Sequence, residues 1–178
     1  MAKNNINTIS STSCGRLFDG ACAILGIRLS STFEGEAANA LMFKAMEYKS
    51  EIDGDNFPLE EEEGSLILPT NVLLRRLIKG KLEGEDISFL AYYFHKTLSN
   101  MIVRACVQIK IKTGIKTVAL TGGVFQNTLL LSMCDIALKK EGFTILKHSL
   151  IPPNDGGIAL GQAVYAMNKV TKENEQCV

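Results

Sequence analysis

The stretch Val118-Ala119-Leu120-Thr121-Gly122-Gly123-Val124-Phe125-Gln126-Asn127 decides how the rest of this 178-residue chain is read. Its apolar opening predicts a short strand, the glycine pair a tight exit, and the residues from Asn127 onward a new helix. Without a Cβ on Gly122 or Gly123 a ligand can approach the main chain closely, and the free N–H groups of the first helical turn favour negative charge. Asn127 can cap that helix or hold a sugar or base. Taken alone the motif reads equally as a plain turn, because Gly-Gly ends many strands for steric reasons.

Downstream, the pattern predicts a strand over 117–120, a helix over 127–140 closed by Glu141-Gly142, and a second strand over 143–146. That order implies a parallel pair joined by a right-handed crossover. A second notable stretch follows, Pro152-Pro153-Asn154-Asp155-Gly156-Gly157-Ile158-Ala159-Leu160-Gly161-Gln162-Ala163. It reads as a rigid loop feeding a helix, with Asn154 or Asp155 as the cap. A carboxylate directly before two glycines is also well built to hold a metal that bridges phosphates arriving at the glycine amides. Ala159, Gly161 and Ala163 predict that this helix packs closely against a neighbour, and residues 169–178 read as a polar tail that frays.

Upstream, a polar lead-in over 4–13 gives way to Leu17, Phe18, Ala21, Cys22 and Leu25, whose spacing is helical. Thr12 or Ser13 is the natural cap and Gly26 the stop. Asp19 lies within this small, apolar helix, where a solvated carboxylate is the plain reading; Cys14, at its start, reads as an inert thiol rather than an activated one. A turn over 30–36 leads to a helix over 37–48, with Met42 and Met46 as core packing. Gly35 and Glu36 stand where a backbone N–H or a carboxylate could meet a ligand, although a simple helix-end charge effect explains Glu36 as well.

The acidic, turn-rich segment 49–64 lacks a complete calcium-loop spacing and reads as a solvated surface loop. A short strand over 65–68 is stopped by Pro69, and Thr70 or Asn71 caps a helix over 72–79 whose Arg75-Arg76 pair reads as a solvated face. The longest helical pattern, 86–113, carries Phe89, Leu90, Tyr93, Phe94, Leu98, Met101, Ile102, Ala105 and Ile109 along one broad side and predicts a scaffold helix. His95 within it has no His or Cys partner at i+4, so it reads as a packed, hydrogen-bonded histidine.

Composition narrows the function classes. Hydrophobic residues make up 46% and charged residues 21%, as in ordinary globular proteins. Lysine plus arginine (19) balance aspartate plus glutamate (19), so no global field points to nucleic acid or an anionic membrane. No stretch reaches the length of a membrane span and the opening Met1-Ala2-Lys3-Asn4-Asn5 has no apolar signal core, which makes the cytoplasm the default address. Five cysteines without a C-x-x-C pair argue for reduced thiols over a disulfide frame or structural zinc. No internal repeat is visible, and one domain, or one lobe of a larger one, is expected over 1–178. Within it, 14–113 reads as mainly helical and 114–168 as strand-helix-strand-helix.

Five motifs, taken in order, carry a resemblance that no one of them carries alone. They are Ser13-Cys14-Gly15-Arg16-Leu17-Phe18-Asp19, Phe33-Glu34-Gly35-Glu36-Ala37, Phe94-His95 with Thr97-Leu98, the 121–127 glycine turn and the 152–162 loop. Together they resemble the C-terminal portion of the HypF carbamoyltransferases of [NiFe]-hydrogenase maturation. The resemblance implies an α/β chain, the second lobe of an actin-like (ASKHA) fold shared with the TsaD/Kae tRNA threonylcarbamoyl transferases, with a mixed sheet flanked by helices and a helical subdomain. It implies binding of ATP-derived carbamoyl-adenylate and transfer of the carbamoyl group to the C-terminal cysteine thiolate of HypE. By motif, Asp19, Gly35 and Asn127 would contact the nucleotide, Gly122 and Gly123 would line its pocket, and Asp155 would ligate a divalent metal.

The departures are as informative. The family's metal site takes an H-x-x-x-H pair from the preceding lobe, and His95 and His148 are too far apart to be that pair. The acylphosphatase-like, zinc-finger and YrdC-like parts of the family are absent from this stretch, so metal and cleft would be shared with a missing lobe and the chain is expected not to turn over alone. No catalytic residue is assigned. Two other readings stay open: a non-catalytic nucleotide-binding or assembly module that pairs with itself or with another subunit, and a lobe of a TsaD-like enzyme. The latter is disfavoured by Gly15-Arg16-Leu17-Phe18-Asp19, where that family usually has G-E-A-F-D, and by the lack of a basic patch.

Overall fold

The computed structural model describes residues 11–175, with side chains as far as residue 170. Most of the predicted lead-in and the last residues of the predicted tail therefore lie outside the described residues. The elements run α1 (Cys14–Leu25), α2 (Glu36–Glu47), β1 (Glu60–Glu62), β2 (Ser65–Ile67), α3 (Thr70–Leu82), α4 (Ile87–Thr113), β3 (Thr117–Leu120), α5 (Thr128–Lys140), β4 (Thr144–Lys147) and α6 (Ile158–Glu175). Short 3-10 turns, Gly123–Gln126 and Asp155–Gly157, precede α5 and α6.

The scaffold is α4. Asp86 starts it, its side chain accepting from the Phe89 N–H at 2.8 Å, and Gly114 stops it in the left-handed region at φ 75°. Leu90, Phe94, Leu98 and Met101 recur at helical spacing and are almost wholly buried. Each such side chain contributes on the order of 1.5–3 kcal/mol relative to exposure. Helices α1, α2, α3 and α5 pack around this half of α4. Phe18 of α1 meets Phe94 edge-on, with ring centroids 5.0 Å apart. Past Met101 the helix emerges from the core, and Ile109 on its predicted apolar side is exposed.

The predicted parallel pair forms as expected, β3 against β4 in register from Thr117 opposite Thr144 to Leu120 opposite Lys147, with α5 as the connection. A second pair, β1 with β2, is antiparallel and closes through Glu63 and Gly64, both at positive φ, the geometry of a tight hairpin turn. No described helix is long and apolar enough to cross a membrane.

Several local expectations are corrected. The acidic segment is not a free loop: Glu60–Glu62 form β1, and residues 53–57 are strapped to α4 by Tyr93, Thr97, Asn100 and Arg104. Neither Thr70 nor Asn71 caps α3; Pro69 holds that position without a side-chain bond. Arg76 is only partly exposed. It grips Glu85 with one nitrogen at 2.9 and 3.0 Å and lies over the Tyr93 ring, because α3 and α4 meet there. Met42 is buried but Met46 is exposed, one turn on and past the seam with α4. The close packing expected of Ala159, Gly161 and Ala163 does not form among the described residues: α6 runs on through residue 175 but is exposed at every position from 158 to 170, and nothing lies within 4 Å of a Cβ built on Gly161.

Candidate functional site

Four separate stretches of chain converge on one cleft of about 430 Å³. One side is the N-terminal half of α1, with Arg16 and Asp19; another is the start of α2, with Gly35 and Asn39; the 3-10 turn after β3 brings Gly123 and Gln126. Asn127, almost wholly buried, adds to the lining, and Asn154 and Asp155 complete it. Of the residues singled out in the sequence, Asp19, Gly35, Gly123, Asn127 and Asp155 therefore share one cavity. Gly122 does not line it.

Each side chain is placed by a local device. Ser13 accepts from the Arg16 N–H at 3.4 Å and starts α1, setting Arg16 and Asp19 one turn apart on the cleft side. Their ion pair, 3.2 Å, is partly exposed and worth little by itself, so Asp19 remains available to a hydroxyl donor. Gly35 caps α2 at φ 80°, a conformation that a side chain would strain. Glu36 is not a free ligand group. Its carboxylate accepts from the Thr32 N–H at 2.6 Å and pairs with Arg28 at 2.8 Å, which pins the loop leading to Gly35. The Thr32 N–H bond holds the Glu36 carboxyl below its ordinary pKa.

The glycine amides are less free than the motifs suggest. Gly122, at φ 96°, donates its N–H to the Pro153 carbonyl at 2.9 Å and so ties the two glycine loops together from behind. Asn154 takes the other pair: its Oδ1 accepts from the Gly156 N–H at 3.1 Å and its carbonyl from the Gly157 N–H at 3.0 Å. Among the described residues, only the Gly123 N–H of the four is left to meet a ligand, and a Cβ built on Gly123 would meet nothing within 4 Å. Thr121 and His148 add a second tie between the strand ends, 2.8 Å from Oγ1 to Nε2.

Asn127 caps α5, its Oδ1 accepting from the Leu130 N–H at 2.9 Å. Its Nδ2 donates to His95 Nε2 at 3.0 Å, while His95 Nδ1 donates to the Ala91 carbonyl at 2.8 Å. His95 is thus the packed, hydrogen-bonded histidine expected, edge-on to Phe18 and Phe94. Burial pushes its pKa down to about 4, so the ring is neutral. Cys14 is likewise no activated thiol, since burial raises its pKa. The thiols of Cys14, Cys22, Cys106 and Cys134 are all free, and Cys177 lies outside the described residues.

The Asp155 carboxylate makes no protein hydrogen bond or ion pair among the described residues, its carbonyl alone accepting from the Ile158 N–H, and no three His, Cys, Asp or Glu side chains gather there to hold a metal. An exposed carboxylate at a cleft rich in amide and carboxylate oxygens fits a hard divalent cation completed by phosphate and water oxygens, and does not fit a self-contained cage. Asn39 and Arg16 were missed as lining residues. The signal was available: Asn39 follows Gly35 by one turn, and Arg16 precedes Asp19 by three residues on the same helix face.

A family profile described as "Carbamoyltransferase, Kae1-like Domain, second subdomain" matches residues 1–162. The carbamoyltransferase HypF of Synechocystis is 37% identical over 153 residues, covering 85% of this chain and 19% of that protein. The probable carbamoyltransferase HypF of Methanocaldococcus jannaschii is 30% identical over 162 residues, covering 91% and 20%. A crystal structure of full-length HypF in the phosphate- and nucleotide-bound form superposes with a TM-score of 0.83 at 35% identity, over 94% of this chain and 22% of that one. The chain thus spans about a fifth of these relatives, and its small sheets and surrounding helices are those of a Kae1-like lobe. It belongs to the HypF carbamoyltransferase family, as the second subdomain of its Kae1-like domain.

Proposed function

We propose that this chain forms one wall of a site that binds carbamoyl-adenylate and passes its carbamoyl group to the C-terminal cysteine thiolate of a HypE-like protein in [NiFe]-hydrogenase maturation. The observation behind this reading is the gathering of Asp19, Gly35, Gly123, Asn127 and Asp155 into one cleft. The phosphate- and nucleotide-bound full-length HypF relative supports the same ligand class.

In the transfer, the thiolate sulfur bonds to the carbamoyl carbon, the bond from that carbon to the phosphate oxygen breaks, and AMP leaves with the electron pair. Asp19 accepts from a ribose hydroxyl, the open side of Gly123 admits the phosphate to its N–H, and Asn127 offers an amide hydrogen. A divalent cation held by Asp155 would neutralise charge on the phosphate. The rest of the cleft, and any further metal ligands, come from the preceding lobe and domains of the HypF protein. Carbamoyl transfer is therefore a property of the assembled protein.

Calorimetric titration of the chain with ATP tests the reading. With magnesium present, Asp155→Asn is expected to weaken binding roughly tenfold, the scale seen when a metal site loses support. With magnesium chelated, variant and parent are expected to bind alike. An equal loss under both conditions removes the metal from Asp155. With carbamoyl-adenylate and HypE supplied, the chain alone is expected to yield no thiocarboxamide, and steady turnover would overturn the shared-cleft reading.

A further inference from the structure

His95 has no place in the transfer just described, yet it is fully buried and makes two polar contacts directly beneath the cleft. We infer that His95 is a positioning residue, which fixes the side-chain amide of Asn127 so that one N–H of Nδ2 is held inward and the other is presented to the cleft. This rests on the nucleotide reading only for the identity of the ligand that meets the second N–H.

The Asn127 amide has one acceptor oxygen and two donor hydrogens. The oxygen is taken by the Leu130 N–H at 2.9 Å, as the cap of α5. One hydrogen is taken by His95 Nε2 at 3.0 Å. That nitrogen is an acceptor because the other ring nitrogen donates to the Ala91 carbonyl at 2.8 Å, which sets the tautomer. The ring cannot swing away: Phe18 and Phe94 lie edge-on at 5.4 and 5.5 Å. Among the described residues no partner takes the second Asn127 hydrogen, and Asn127 borders the cavity. An amide clamped at both ends offers a ligand acceptor a donor that needs no reordering. A ligand group at that point is therefore an acceptor, such as a ribose or phosphate oxygen or an unprotonated ring nitrogen.

Two substitutions separate positioning from packing. Gln at position 95 can place an amide oxygen where Nε2 stood and keep the acceptor for Asn127; Asn reaches only to the Nδ1 position and keeps the bond to Ala91 alone. His95→Asn is expected to weaken ATP binding about tenfold, the scale of one buried donor left unpaired, while His95→Gln restores most of it. The Asn127 side-chain amide resonances give the second readout. In the parent and in His95→Gln its two hydrogens should be well separated and slow to exchange; in His95→Asn they should converge and exchange faster.

Equal ATP affinity in parent and His95→Asn overturns the inference, as does equal loss in both variants with each shown folded by a dispersed amide spectrum. If the parent binds no ATP, the nucleotide reading fails, and the Asn127 resonances still decide. Resonances unchanged in His95→Asn would show that His95 does not hold the amide.

Discussion

His95 shows what burial does to one titratable residue. Its folded pKa is pushed down to about 4 from an ordinary 6.5, chiefly by loss of solvent. Between these values the unfolded chain takes up a proton that the folded chain refuses. The contribution of the neutral ring is therefore full above pH 6.5 and is lost as pH falls toward 4, by about 3 kcal/mol at the lower end. Urea unfolding of parent and His95→Gln should give a stability gap that shifts against the parent as pH is lowered through this window. A gap independent of pH would show that His95 is not buried neutral. Asp19 was legible in the sequence as an anomaly, a carboxylate on a small, apolar helix. That it points into a cavity was not, because helical spacing defines a face but not what stands opposite.

At the scale of elements, α4 organises the molecule along two stripes. One is apolar and runs through Leu90, Phe94, Leu98 and Met101 into the core. The other is polar, at Tyr93, Thr97, Asn100 and Arg104, and binds the backbone and side chains of residues 53–57. Arg104 donates through one nitrogen to the carbonyls of Asn56 and Phe57, at 2.8 and 3.1 Å. Arg104→Ala should free this acidic segment without unfolding the helices, with amide exchange over 53–57 rising about tenfold and global stability falling by about 1 kcal/mol. Unchanged exchange there would remove Arg104 from the strap. The apolar stripe was readable from periodicity. The polar stripe was not, since an acidic run beside Gly54 and Asn56 has every local mark of a solvated loop and only its partner 40-odd positions later makes it otherwise.

Across the whole molecule, stability is graded. Helix α4 is covered by four others, whereas α6 is exposed along all its described side chains and meets little besides the 3-10 turn that precedes it. Helices of this length owe most of their stability to packing, so native-state hydrogen exchange should find α6 opening orders of magnitude faster than the Leu90–Met101 part of α4. Comparable protection of the two would contradict the arrangement. By itself, the sequence determined the helices, the strand-helix-strand unit and the family, because periodicity, capping residues and glycine stops are local and survive without knowledge of neighbours. It also marked Asp19, Gly35, Gly123, Asn127 and Asp155. Only the tertiary structure decided that these five share a cleft, that Gly122 is a tether and that Asn154 consumes the two glycine amides beside it. Those outcomes depend on which donor meets which acceptor across the fold, and that pairing is set by the packing of distant segments.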